Sequence, residues 1–273
     1  MKQISLSYTL FFSVIILVFT LASCEKEDSS PEMQTVIDNT VLETEFTSMI
    51  PMINNVAANN QTAKSVKSGS LSTINISTNK STSYPITKII DYGTGTVDPI
   101  DGKTRKGQIV ITLDSSWDTI GATATVEFVN YYISDGSNNF IQFTCDSMKI
   151  IHAAAHTLTC DIINGHFYTP NWALSFSSTK TLTQIAGMED TDSSNDVFQL
   201  TGSSSGVNRE GIDFFSYISV PIVKKHSCPW LDSGRIEYAN PGLVARDIDF
   251  GTGDCDNKGT VTINGNIFTF SMN

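Results

Sequence analysis

The chain has few basic residues and little charge in general. Only 17 of its 273 residues are Lys or Arg, against 28 Asp or Glu, so the formal net charge is −11. A nucleic-acid binder needs a basic face to neutralise phosphates, and this composition therefore excludes nucleic acid as the expected partner. Hydrophobic residues reach 40% while charged residues are only 16%. The chain can thus bury a core and is not a disordered acidic segment.

The N-terminal apolar run is too short to cross a membrane as a helix. Residues 10–21 form a run of 12 after a short basic start, whereas a spanning helix needs about 20 apolar residues. The pattern predicts a signal peptide over residues 1–23 that is removed. The run ends in Leu21-Ala22-Ser23-Cys24, which resembles the lipobox of bacterial lipoproteins, where the Cys is acylated with chains such as palmitate. An ordinary signal peptide that happens to carry a Cys is the alternative.

An acidic tether follows at residues 24–31. Its Lys26, Glu27 and Asp28 resemble the export signal that sends Bacteroidota lipoproteins to the cell surface. A solvated spacer is the alternative, and the two are compatible. We expect a protein held in the outer membrane by a lipid on Cys24 and facing the cell exterior.

One helix is predicted before the body of the protein. Apolar residues recur at spacings of three and four over residues 32–58, which predicts an amphipathic helix that begins near Ser30-Pro31. Pro51 is expected to end or kink this helix. Residues 59–70 are rich in Gly, Ser and Asn and are predicted to be a linker.

No helix of crossover length lies between the short alternating runs of residues 71–273. A segment such as 122–128 places Ala, Ala, Val and Phe on one face and Thr, Thr and Glu on the other, as in a half-buried strand. About a dozen such strands, joined by short turns, predict an antiparallel meander. The expected fold is therefore mainly β, a sandwich or a partly open barrel with one N-terminal helix. A division of the body near 187–195 stays open.

An internal repeat marks both ends of this body. Residues 90–95 and 248–253 are identical at five of six positions, and each copy precedes a strand that begins with Gly. The copies are expected to form equivalent hairpins.

These motifs together resemble an uncharacterised family of Bacteroidota outer-membrane or surface lipoproteins, over roughly residues 35–273. The elements that carry the resemblance are the Ile-Asp-Tyr/Phe-Gly-Thr-Gly copies, the strand entry at 102–107, Val220-Pro221-Ile222-Val223, Cys228-Pro229-Trp230 with Ser233-Gly234, and Cys255-Asp256-Asn257-Lys258. The first copy has Thr96-Val97 where a Cys follows in other members. The resemblance implies export, lipidation and a β body after a helix, and it supplies no catalytic residues.

Four cysteines remain when Cys24 is assigned to the lipid. They are Cys145, Cys160, Cys228 and Cys255. An even number in an exported chain predicts disulfides. We favour Cys145 with Cys160, which flank a predicted hairpin, and Cys228 with Cys255, which would tie a strand to the second repeat. Four reduced thiols are the alternative.

Three motifs match chemical sites only in part. His152 and His156 have the spacing of two metal ligands on a helix but lack the Glu of a metalloprotease. Ser204 lies in a Gly-x-Ser-x-Gly pattern without the strand and helix that a nucleophile elbow requires. Residues 249–259 hold carboxylates that could ligate calcium, although such residues are equally typical of turns. We therefore assign no catalytic residue, metal or cofactor, and expect exposed turns at Ser204 and at the two histidines.

The preferred functional hypothesis is a noncatalytic surface module that contacts a glycan or a protein partner. Its natural contacts would be aromatic residues, namely Trp117, Trp172, Trp230, Tyr131 and Tyr132. The alternative is a carrier that holds a hydrophobic ligand in a β cavity, and a hydrolase is third. An interior cavity of several hundred Å³ would favour the carrier.

Overall fold

The structure is a computed structural model that describes residues 31–58, 74–79, 83–98, 102–134, 139–189 and 193–272. The predicted signal peptide, Cys24, the Lys26-Glu27-Asp28 segment and the linker at 59–70 lie outside these ranges. The described residues form one α-helix followed by fifteen strands. Their bounds are α1 Pro31–Ala58, β1 Asn75–Thr78, β2 Ile86–Asp91, β3 Thr96–Val97, β4 Thr104–Leu113, β5 Thr123–Ser134, β6 Phe140–Thr144, β7 Ser147–Ala154, β8 Thr157–Tyr168, β9 Ala173–Ala186, β10 Val197–Val207, β11 Asp213–Lys225, β12 Ser233–Ala239, β13 Arg246–Thr252, β14 Lys258–Ile263 and β15 Asn266–Ser271.

All fifteen strands belong to one antiparallel sheet. Its order is β1-β2-β4-β5-β6-β8-β9-β10-β11-β12-β13-β14-β15, with β3 paired to β4, and β7 paired to β5 and β8. Strands joined by short turns pair with their neighbours in the chain, so the sheet is a meander. The predicted mainly β fold class with one N-terminal helix is confirmed. β9 and β10 lie on either side of residues 187–195 and pair with each other from Ala186 to Ser175 on β9.

The turns follow the predicted chemistry. Asn264 and Gly265 both have positive φ, 52° and 78°, as a two-residue hairpin turn requires, and they join β14 to β15. The two repeats share one local structure, since Asp91 accepts a hydrogen bond from the Gly93 amide at 2.8 Å and Asp249 accepts one from the Gly251 amide at 2.8 Å. Each copy then leads to a hairpin partner strand, β4 or β14.

The sheet curls around α1, and most side chains of the helix are buried, whereas Gln34, Ile37 and Val41 on one face are half-buried. Apolar helix residues such as Leu42, Phe46 and Ile50 belong to the core. Acidic residues of the same helix, Glu43 and Glu45, are buried as well. The predicted helix is present, but its acidic side chains do not form a solvent-exposed face, because the sheet covers them as well.

The helix also continues through Pro51 to Ala58, so Pro51 does not end it. The apolar stripe of α1 supplies the contacts expected of a core helix, while its polar side chains require partners from the sheet. No helix among the described residues has the length and hydropathy needed to cross a membrane.

Candidate functional site

Buried ion pairs fasten α1 to the sheet. Glu43 Oε1 lies 2.5 Å from Lys180 Nζ on β9, and Glu45 lies 2.5 Å from Lys103 and 3.3 Å from Arg105. Asp38 pairs with Arg209 in the turn between β10 and β11. Burial raises the pKa of Asp38, and the Arg209 hydrogen bond and charge offset only part of that effect. Cations from the strands and from the segments that join them thus neutralise the acids of the helix.

Hydrogen bonds that are not ion pairs complete the fit. Asn39 Nδ2 donates to Ser216 Oγ on β11 at 3.2 Å. At the other end of the helix, Lys88 Nζ on β2 donates to the Val56 and Ala57 carbonyls at 2.8 and 2.7 Å, which are among the carbonyls that a helix end leaves without an internal partner. Bonds to strands between β2 and β11 therefore hold the helix in the interior. The helix occupies the interior space in which a carrier protein would bind its ligand.

A groove of about 500 Å³ runs over the outer face of the sheet. Its floor is formed by Ser177 and Thr179 on β9 and by Ser203 and Ser205 on β10. The register sets Thr179 opposite Ser203 and Ser177 opposite Ser205, so four short hydroxyl side chains form a two-by-two array. Longer side chains rise on both sides because β8 and β11 carry larger residues at the outward positions.

The two walls of the outer groove differ in character. On the β11 side Phe215 is 49% exposed and its neighbour Tyr217 is 40% exposed, with ring centroids 6.3 Å apart. On the β8 side stands Ile163, which is 53% exposed. A hydrogen bond to the Glu237 carboxylate, which lies opposite on β12, raises the pKa of Tyr217.

The charges that line the groove balance each other. Its ionisable side chains are Lys149 on β7 and Asp161 on β8, and these two residues are cross-strand partners. Opposite charges at such a position attract. The groove is thus nearly neutral on a protein whose net charge is −11.

A second pocket, of about 460 Å³, opens at the C-terminal end of α1. Trp117 and His152 stack there with centroids 5.8 Å apart, and His152 Nδ1 lies 2.7 Å from the Trp117 carbonyl oxygen. His156 lies in the turn after β7 with a φ of 57°. The prediction of a turn holds for His156, whereas His152 is on the strand itself and is half-buried. Among the described residues, no three His, Cys, Asp or Glu side chains converge as a metal site would require.

Ser204 was predicted to lie in an exposed turn, and that prediction is wrong. It is buried in the middle of β10, and its Oγ has no hydrogen-bond partner among the described residues. The flanking glycines have a structural cause. A Cβ on Gly202 or Gly206 would come within 2.2 or 1.9 Å of a carbonyl oxygen of β9, so the motif reflects the close approach of two strands.

One of the two expected disulfides is present. Cys228 and Cys255 are bonded with Cα atoms 5.7 Å apart, within the usual range. Cys145 and Cys160 are free, so the prediction of a bond between them is wrong. They do not flank the β7–β8 hairpin, because Cys160 lies within β8 and pairs with Ile150, whereas Cys145 precedes the start of β7 at Ser147. The register therefore does not place the two thiols opposite each other.

Two carboxylates of residues 249–259 stabilise turns. Asp249 caps the Gly251 amide as described, and Asp256 Oδ1 accepts a hydrogen bond from the Lys258 amide at 3.0 Å. This is ordinary Asx-turn chemistry. Asp249 and Asp256 therefore have structural roles in these turns.

The aromatic residues singled out in the sequence are mostly core residues. Trp117 and Tyr131 are buried, and Trp172 and Trp230 pack against the core while half-buried. Tyr132 is half-buried on β5. The exposed pair Phe215 and Tyr217 was missed. A signal was present, because both residues occupy the positions of β11 that alternate with buried Phe214 and Ser216.

No protein-family model matches this chain. No curated protein and no solved structure matches it either.

Proposed function

We propose that the protein is a lipid-anchored, noncatalytic module of the outer cell surface that binds an external ligand in the outer groove. The groove carries this proposal, because it combines exposed rings and hydroxyls in a single concave surface of the size that small-ligand sites have. The filled interior of the protein also supports this proposal. Since α1 fills the sheet, a carrier of a hydrophobic ligand has less support.

The anchor is tested by mass spectrometry and by protease shaving. The wild-type N-terminus should begin at an acylated Cys24, and Cys24→Ala should yield an exported protein without acyl chains. Replacing Lys26, Glu27 and Asp28 by Ala should retain the protein on the inner leaflet of the outer membrane. An unmodified Cys24, or a wild-type protein that protease cannot remove from intact cells, contradicts the corresponding half of the proposal.

The groove is tested by photo-crosslinking in intact cells. A photoreactive amino acid at position 215 should give covalent adducts with the ligand. The matched control is position 267, since Ile267 is 71% exposed on the same sheet but lies on β15, four strands from β11 or about 19 Å along the sheet. Adducts at 215 and not at 267 support the proposal. Equal adducts at both positions, or none at 215 in a surface-displayed protein, reject it.

A further inference from the structure

The floor of the outer groove presents hydroxyl groups that can both donate and accept hydrogen bonds. Cross-strand neighbours such as Thr179 and Ser203 lie about 5 Å apart, and outward neighbours along one strand about 7 Å. Ser177 Oγ accepts a hydrogen bond from the Asn164 amide at 3.2 Å. The Thr179, Ser203 and Ser205 hydroxyls make no hydrogen bond with another side chain or amide of the described residues. A ligand with many hydroxyl groups of its own fits such a floor.

The β11 wall adds apolar ring surface to this hydroxyl array. Phe215 and Tyr217 are adjacent outward residues, and Tyr217 lies directly opposite Ser203 of the floor. A ligand seated on the floor therefore meets hydroxyls below and aromatic faces beside it. Sugar rings have this character, with hydroxyls at the edge and an apolar C–H surface on one face, which packs against an aromatic ring.

Two other classes of ligand fit the groove less well. An extended peptide that adds to a sheet needs a strand edge with unpaired backbone groups, but β9 and β10 are paired with neighbours on both sides. An acyl chain needs an apolar floor, and this floor is made of hydroxyls. The balanced Lys149 and Asp161 charges favour an uncharged ligand over an anion or a cation.

We propose that the outer groove binds a neutral oligosaccharide. The sugar hydroxyls bond to Thr179, Ser203 and Ser205, and a sugar ring packs against Phe215 beside Tyr217. This inference rests on the proposed function, since it names the class of ligand for the same site.

The test measures binding of defined sugars by calorimetry, with the full-length protein in detergent. The probes are neutral linear hexasaccharides of the gluco, xylo, manno and galacto series, with hexagalacturonate as the charged comparison. At least one neutral hexasaccharide should bind. Phe215→Ser should weaken that binding about tenfold, and Ser203→Ala or Thr179→Val about fivefold. Ile267→Ser should leave the affinity unchanged, and all of these variants on the outer face should keep the wild-type melting temperature.

Failure to bind any neutral hexasaccharide overturns the inference. So does tighter binding of hexagalacturonate, or an affinity that Phe215→Ser leaves unchanged. Crosslinking at position 215 separates this failure from failure of the proposed function. If adducts form there without sugar binding, the oligosaccharide is rejected and the surface-binding function stands; if neither is seen, both are rejected.

Discussion

Glu43 and Lys180 form an ion pair whose side chains are 0% and 2% exposed. Lys180→Met leaves the Glu43 carboxylate buried without its cation. Glu43→Leu leaves the Lys180 ammonium group buried without its anion. Removing one partner of a buried pair costs about 3–5 kcal/mol. For a domain of this size each kcal/mol shifts the melting temperature by about 2–4 °C, so each single variant should melt about 6–20 °C below the wild type.

The double variant Lys180→Met with Glu43→Leu separates the two contributions. It removes both charges and fills the space with apolar side chains, which is often neutral for stability. We therefore expect the double variant to recover most of the stability that either single change loses. Thermal and urea unfolding of all four proteins, in a Cys24→Ala background that cannot be acylated, gives the coupling energy directly.

Arg235 and Asp249 supply the matched control. Their pair has a similar separation, 2.8 Å, but the side chains are 51% and 30% exposed. Exposed pairs contribute less than about 1 kcal/mol, so Arg235→Met should barely change the melting temperature. Two results would show that the Glu43–Lys180 pair does not fasten α1 to the sheet. One is a decrease in melting temperature for Lys180→Met as small as that for Arg235→Met. The other is a loss of stability in the double variant equal to the sum of the losses in the two single variants.

Three further predictions concern the cysteines and a buried acid. Replacing Cys228 and Cys255 together by Ala should lower the free energy of unfolding by about 3.5 kcal/mol, because the bond spans a sequence separation of 27; urea unfolding with and without reductant checks this, and equal midpoints would contradict it. Burial raises the pKa of Cys145 to about 11. Its alkylation, followed by mass spectrometry, should therefore be slow at pH 8 and quicken about tenfold per pH unit towards that value, whereas buried Cys160 should react only after unfolding. Burial also raises the pKa of Asp38 above the unfolded value of 3.8, so the folded state binds the carboxyl proton of Asp38 more tightly than the unfolded state does. The folded state therefore loses stability as the pH rises from the unfolded pKa to the folded pKa of this group. Asp38→Asn has no such proton, so its stability relative to the wild type should increase over that interval in urea unfolding from pH 4 to 7, and a constant difference would refute this.

The strands and turns were predictable because their signals are local. Alternation identifies β5 from Ala124 and Val126 alone, and Asn264-Gly265 identifies its hairpin from two residues. The repeat was predictable for the same reason, since each copy forms its own Asp-to-Gly amide hydrogen bond. These features depend on neighbouring residues, and a sequence displays neighbours directly.

The burial of polar helix residues depends on contacts that a sequence does not display. Glu43 meets Lys180 across 137 residues, and spacing along α1 cannot reveal a cation supplied by a distant strand. A partial signal existed in β9, where Lys180 lies an even number of residues from Phe176 and Leu182 and therefore on the same face of the strand. Both of these residues face the core. A lysine at an inward position requires a buried partner. The failure of the Cys145–Cys160 prediction has the same origin, because strand register decides which thiols face each other.

The alternation of β9 and β10 explains how one sheet serves both the helix and the groove. Lys180 on β9 reaches inward to Glu43, while its neighbour Thr179 belongs to the groove floor. On β10, Ser204 is buried and its neighbours Ser203 and Ser205 line the groove. Because successive residues point to opposite faces, any change that shifts these strands against α1 also moves the floor hydroxyls. The ion pair that fastens β9 to the helix therefore also sets the position of the proposed ligand contacts, although none of its atoms reaches the ligand.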